Sequence, residues 1–292
     1  MEIKELASVG GKTTMRIGGK ARWYAEPETQ ADVEELIRFT KEKNVPLLPL
    51  GSGANTVFCD DVVEAVVFRV KPSGAVIDGK LVKADGGKNL AMLINELAKA
   101  NLDLSALTGI PGTMGGALFG NAGQGAGGIW LDTYVVDVTA YIDGEWKTLS
   151  KEDCHFRYRE SLFKDLAKGV RIPPVIWAAT LNVPSRPQAE VEAEVQRLLQ
   201  KRIETQPHLK TAGSCFKTVG DTPAWKLVDA AGLRGFRIGD AEVAEKHANF
   251  LLNKGAATYA DLKKVVEHIR ETVPTHLEVE MRFVEPDGSL AF

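Results

Sequence analysis

Two glycine-rich stretches, GSGANT at 51–56 and LTGIPGTMGGALFGNAGQGAGG at 107–128, carry the residue type that lets backbone N–H groups come close to an anion. Alone, GSGANT reads as a turn after a strand. It lacks the third glycine or alanine of a dinucleotide fingerprint, and no acidic residue follows where a ribose contact would need one. The second stretch differs, because Ile110, Met114, Leu118 and Phe119 stand among its glycines where a solvated loop would carry Ser, Lys and Glu. It reads as packed backbone that binds a diphosphate, and two such loops suggest one large anion. CHFRYRESLFK (154–164) gathers Arg157, Tyr158, Arg159 and Lys164, either a clamp for an anion or a solvated helix face. TAGSCFK (211–217) sets Ser214 beside Cys215 without the G-x-S-x-G elbow of a hydrolase, and such a pair is usually structural. In LEVEMRF (277–283), Leu277, Val279, Met281 and Phe283 alternate with Glu278, Glu280 and Arg282. That places three charges on one face of an extended segment, the pattern of a half-exposed edge strand.

The chain that must position these residues has 292 of them, room for about two domains or three small ones. With 44% hydrophobic and 26% charged residues it has a real core, and 36 basic against 39 acidic residues leave no general attraction to nucleic acid or anionic lipid. Any anion must be held locally. Cys59, Cys154 and Cys215 are too widely spaced for a zinc site or a disulfide framework, so no metal is expected and a reducing cytoplasm fits best. The N-terminus has no signal-peptide pattern. The long uncharged run at 104–131 is broken by glycines, Pro111, Asn121 and Gln124, so it reads as a loop system and not a membrane helix.

Thr29 with Asp32 predicts a capping box opening a helix that runs to about Asn44, with Val33, Leu36 and Ile37 on its buried face. Strands are expected at 45–50 and 63–70, a change of unit between Lys71 and Lys83, and a helix capped by Asn89 with Leu90, Leu93, Ile94 and Leu97 inward. A hairpin turning at Asp143-Gly144, a strand at 172–183 and a helix at 189–202 follow. Beyond them, Asp221 is expected to cap one helix that Gly232 ends, and Thr258 with Asp261 opens another whose inner face is Leu262, Val265, Val266 and Ile269. The class is α+β, in three parts.

Six motifs stand in order over 14–284: LGSGANTVF, GIPGTMGGALFGNAG, FRYRESLFK, AGSCFK, RIGDAEVAEKHANFLLN and LEVEMRF. Together they resemble the UDP-N-acetylenolpyruvoylglucosamine reductases, also called UDP-N-acetylmuramate dehydrogenases. The resemblance implies a flavoprotein of peptidoglycan precursor synthesis. FAD would be held noncovalently by two α+β units at 1–71 and 72–203, a substrate-binding α+β domain would occupy 204–281, and the last strand (282–292) would complete the first unit. It further implies NADPH as hydride donor, and UDP-N-acetylglucosamine-enolpyruvate as the acceptor that replaces it. Neither nucleic acid nor membrane is an expected partner.

For the residues, the resemblance implies Arg159 as the fixed positive charge, Glu280 as the hydrogen-bond donor at the substrate carboxylate, and Ser214 as the proton donor. Gly51, Ser52, Gly53, Ala54, Asn55 and Thr56, with Ile110, Gly112, Thr113, Gly115, Gly116 and Asn121, match the flavin-binding loops. Lys217 and His247 match positions facing the sugar nucleotide. Thr218 and Val219 stand where the family commonly has Asn-Pro, and the interval from Arg159 to Ser214 matches the shorter family form, which lacks a tyrosine-bearing substrate loop.

Overall fold

The computed structural model describes residues 1–123 and 128–292; residues 124–127, the end of the second glycine-rich stretch, lie outside the described residues. The chain is α+β and divides into two compact units. One comprises Met1–Ile3, Ala25–Ser52 and Val66–Arg202, the other Lys4–Tyr24, Gly53–Ala65 and Ile203–Phe292.

In the first unit the helix Gln30–Lys43 opens on the expected box: Thr29 and Asp32 each accept the other's backbone N–H, and Asn44 closes it in the left-handed region at φ 53°. Its inner face carries Val33, Leu36 and Ile37, as the 3.6-residue spacing requires. The strand Leu47–Pro49 runs parallel to 66–68, and the glycine turn leaves from its end. The main layer is a five-stranded antiparallel sheet in the order Ala75–Asp78, Leu81–Asp85, Val175–Asn182, Val135–Ile142, Glu145–Ser150. The change of unit expected between Lys71 and Lys83 is thus occupied by a hairpin. Leu90, Leu93 and Leu97 of the helix Leu90–Lys99 are fully buried with Val138, Leu181 and Phe163, each worth roughly 1.5–3 kcal/mol of burial.

The glycine-rich stretch is not wholly loop. Met114–Phe119 is a short helix, capped by Thr113, whose Met114 and Leu118 enter the same core. Those apolar residues among the glycines anchor it; Gly115 packs against Gly86, and Gly116 faces outward.

In the second unit Thr56–Phe58 pairs in parallel with Arg282–Val284. Arg237–Ile238, Ala241–Val243 and Leu251–Asn253 form an antiparallel sheet. The helix Tyr259–Thr272 buries Leu262, Val265, Val266 and Ile269, and Thr258 with Asp261 makes its capping box. Two expectations fail here. Asp221 does not cap the helix Ala224–Ala230, whose N-cap is Pro223; the chain at 219–222 is closed instead by reciprocal hydrogen bonds between Val219 and Thr222. The continuous strand expected over 277–283 is regular only at Arg282–Val284 and makes a single bridge earlier, at Val279. The partner strand Thr56–Phe58 is only three residues long, so the ladder ends there. Among the described residues no helix is long and apolar enough to cross a membrane.

Candidate active site

In the first unit the two glycine stretches meet. A Cβ on Gly51 would lie 2.7 Å from Thr113 Oγ1, so the first loop rests against the cap of the short helix. Arg69 Nε donates to the Gly51 carbonyl at 2.8 Å and fixes the turn from the other side. Met114 N–H donates to Lys88 O and Gly115 N–H to Gly86 O, both at 2.8 Å, and Thr113 Oγ1 accepts from Gly116 N–H at 3.3 Å. The backbone here is stapled before any ligand arrives. Two positions stay open: Gly112, at φ +139°, has no heavy atom within 4 Å of where its Cβ would be, and Gly116 meets only Thr113 Oγ1 at 3.6 Å. Open space over these two glycines would let a ligand come close to the main chain. Ser52 and Ile110 beside it are half-buried.

Asn121, read from the sequence as a flavin contact, is buried and spends its side chain inside the protein. Its Nδ2 donates to Arg157 O at 3.2 Å, and its Oδ1 accepts from Asp132 N–H at 3.1 Å. Ser161 Oγ donates to Phe119 O at 2.7 Å. The basic segment is therefore tied to the end of the glycine helix. Arg157 Nη2 donates to both carboxylate oxygens of Asp165, at 2.8 and 2.7 Å. Arg159 has left-handed backbone at φ 56°, its carbonyl accepts from Lys164 Nζ at 3.0 Å, and its guanidinium lies 5.2 Å from the Trp130 ring centre. A non-glycine residue held at positive φ costs roughly 1–3 kcal/mol, which the surrounding contacts must offset.

A second arginine was not foreseen. The Arg202 side chain lies over Gly109, where a Cβ would fall 2.2 Å from its Cδ. Burial, and secondarily the charge of Arg159, hold the Arg202 pKa below its ordinary value. In the sequence Arg202 is one polar position of a helix, and only tertiary packing sets two cations in one neighbourhood.

In the second unit Gly53 is buried at φ +67°, and its carbonyl accepts from Thr14 N–H at 3.0 Å. Ala54 and Asn55 are half-buried, while Thr56 enters the strand. Asn55 clamps the end of the chain: its Nδ2 donates to Glu280 O at 3.0 Å and its own carbonyl accepts from Arg282 N–H at 2.9 Å. Glu280 N–H donates to Cys215 O at 2.7 Å, and Lys217 N–H to Glu278 O at 2.9 Å. Ser214 and Glu280 thus stand on adjacent, directly bonded segments. Ser214 is half-exposed; Cys215 is fully buried, and its thiol pKa is pushed up by desolvation, then by the charge of Glu280. His247, half-buried between Phe250 and Trp225, has its pKa lowered chiefly by burial, which favours the neutral ring.

The two glutamates differ as their alternation does not show. Glu278 is exposed and pairs with the buried Lys217 at 2.6 Å, whereas Glu280 is half-buried. On the roles that the resemblance implies, Glu280→Gln is expected to slow the step that uses the sugar nucleotide, while Glu278→Gln, by breaking the ion pair with Lys217, is expected to change substrate affinity instead. Stopped-flow rates at saturating substrate and a substrate titration of the oxidised enzyme separate the two; equal effects on rate would leave both residues as edge-strand charges.

A glycine cradle over a short capped helix, in a chain whose residues 21–149 match a family model described as an FAD-binding domain, defines an FAD-dependent oxidoreductase. Residues 205–284 match the model described as the C-terminal domain of UDP-N-acetylenolpyruvoylglucosamine reductase. Curated relatives of that name are 33% identical over 282 residues in a Synechococcus strain, covering 94% of this chain and 86% of the relative, and 36% identical over 278 residues in Ruegeria pomeroyi, covering 89% and 87%. A crystal structure of the enzyme from Thermus caldophilus superposes with a TM-score of 0.82 at 29% identity, covering 97% of this chain and 99% of that one. The chain belongs to the UDP-N-acetylenolpyruvoylglucosamine reductase family.

Proposed function

We propose that the protein reduces the enolpyruvyl group of UDP-N-acetylglucosamine-enolpyruvate to the lactyl ether of UDP-N-acetylmuramate, with NADPH as electron source, in the cytoplasmic stage of peptidoglycan precursor synthesis. The observation that carries it is the bonded pair of segments bearing Ser214 and Glu280, with the serine open and the adjacent thiol buried. The glycine backbone around Gly51, Gly112 and Gly116 would hold FAD on this reading, as the family resemblance also implies for Gly53, Ala54 and Asn55, and the cofactor would supply hydride transfer from NADPH to C3 of the enol ether. An enol ether accepts hydride only if its carboxylate can take up negative charge as the new bond forms. Arg159 supplies the fixed charge, and Glu280, in its protonated form, donates the hydrogen bond to that carboxylate. Carbon 2 then carries the basic electron pair, and the Ser214 hydroxyl, though a weak acid, suffices to protonate it once held over that carbon. Hydride at C3 and proton at C2 together saturate the double bond.

Lys217 and His247 face the sugar nucleotide on this reading. Residues 1–71 with 282–292 and residues 72–203 serve as the two flavin-holding parts, and 204–281 as the substrate part. The purified protein is expected to be yellow, to bleach with NADPH under anaerobic conditions, and to recolour when the enolpyruvyl sugar nucleotide is added. Failure to take up FAD on titration would sink the flavin assignment, and bleaching without recolouring would sink the substrate.

A further inference from the structure

We propose that Asn249 is the positioning residue of Ser214, setting the register in which the serine and not the cysteine meets the substrate; this rests on the reading of Ser214 as proton donor. Asn249 is buried, and both arms of its carboxamide go to one residue: Oδ1 accepts Phe216 N–H and Nδ2 donates to Phe216 O, each at 2.9 Å. Its own carbonyl accepts Cys215 N–H at 2.8 Å. The remaining backbone acceptor of that dipeptide, Cys215 O, takes the N–H of Glu280. All four backbone polar groups of residues 215–216 are therefore held, three by Asn249 and one by Glu280.

The side-chain identity follows from this pattern. A planar group with one acceptor and one donor at the reach of a single methylene is asparagine; an ionised aspartate would face Phe216 O with a second acceptor. The lock matters because the chain bends at Cys215 between two isolated bridges, with Ser214 half-exposed on one side of the bend and Cys215 buried. Loss of the hold on residues 215–216 would let the bend relax and move the Ser214 hydroxyl from its place. Outside Asn249 the register rests on isolated bridges, Ser214 with Phe250 and Phe216 with Val279, and no regular ladder surrounds them. Packing of Phe216, which is buried, adds no preference for which neighbour is exposed, since both Cys215 and Lys217 beside it are buried too.

The test uses the FAD-loaded full chain. Asn249→Ser is expected to keep flavin content and the rate of flavin bleaching by NADPH. Reoxidation by the enolpyruvyl substrate should slow about 100-fold, the usual consequence of misplacing a reacting group by about 1 Å, with a larger solvent deuterium isotope effect as proton delivery becomes limiting. Asn249→Asp keeps the volume and supplies a second readout. Protonation of the introduced carboxyl, whose pKa burial raises, restores a donor toward Phe216 O, so reoxidation should recover as pH falls while the native protein shows no such recovery. Reoxidation and bleaching slowed equally, or an unchanged isotope effect with no acid recovery in Asn249→Asp, would overturn the assignment. Ser214→Ala run alongside separates the premises: if it leaves reoxidation intact, the proton-donor reading fails; if it abolishes reoxidation while both Asn249 variants behave as native, only the positioning role fails.

Discussion

Ser214→Ala is expected to slow reoxidation of the flavin by the enolpyruvyl sugar nucleotide by roughly 10³- to 10⁴-fold, the upper range for loss of a positioned general acid. Reduction by NADPH, which needs no proton at that carbon, should be unchanged. The neighbouring Cys215 is the instructive control. By acidity alone a thiol of ordinary pKa about 8.5 is a far better proton donor than a hydroxyl. The structure removes it from contention, because Cys215 has no exposed surface, its backbone N–H and C=O are bonded to Asn249 and Glu280, and burial raises its pKa. Cys215→Ala should keep both half-reactions to within a few-fold while costing about 1–2 kcal/mol of stability for the lost core volume. Stopped-flow absorbance of the two half-reactions, with a thermal melt of each variant, checks all of this. A damaged reoxidation in Cys215→Ala with native behaviour in Ser214→Ala would shift the motif by one residue.

The second large effect separates two kinds of glycine that the sequence presents alike. At Gly53 the backbone is at φ +67°, and a Cβ would stand 2.5 Å from Lys12 O and 2.6 Å from Thr13 Cα. Both obstacles are main chain of the same unit and neither can swing aside. Gly53→Val should therefore cost more than about 4 kcal/mol and lower the melting temperature by about 10 °C or more, whether or not flavin is present. Gly115 is intermediate, since its Cβ would come within 3.1 Å of Gly86 O. Gly116 is exposed, helical and meets only Thr113 Oγ1 at 3.6 Å, so Gly116→Val fits the protein itself. It should leave the melting temperature of the flavin-free protein within a few degrees and weaken FAD by tenfold or more, as the isopropyl group occupies space the cofactor needs. Flavin titration followed by fluorescence decides this, and native affinity in Gly116→Val would remove that position from the flavin cradle.

Local rules made much of the fold legible. The boxes Thr29/Asp32 and Thr258/Asp261 open helices where expected, because a cap and a 3.6-residue stripe are satisfied within a few residues of chain. Six motifs in order were enough to indicate the family. The short helix inside the glycine stretch was hidden because glycine weakens every local helix signal, and the helix is held by Thr113 and by burial of Met114 and Leu118.

By itself the sequence determined the α+β class and the two helices opened by capping boxes, and its resemblance to a family singled out Arg159, Ser214 and Glu280 as candidates. It could not assign Asn121 to an internal clamp, pair Glu278 with Lys217, or separate Gly53 from Gly116. Nor could it show that Asn249 holds residues 215–216 or that Arg202 lies over Gly109. The physical reason is common to all of them: caps and periodicity are settled between near neighbours, whereas these contacts join residues distant in the chain. Which partner each polar group obtains is fixed only when the core has set those segments side by side.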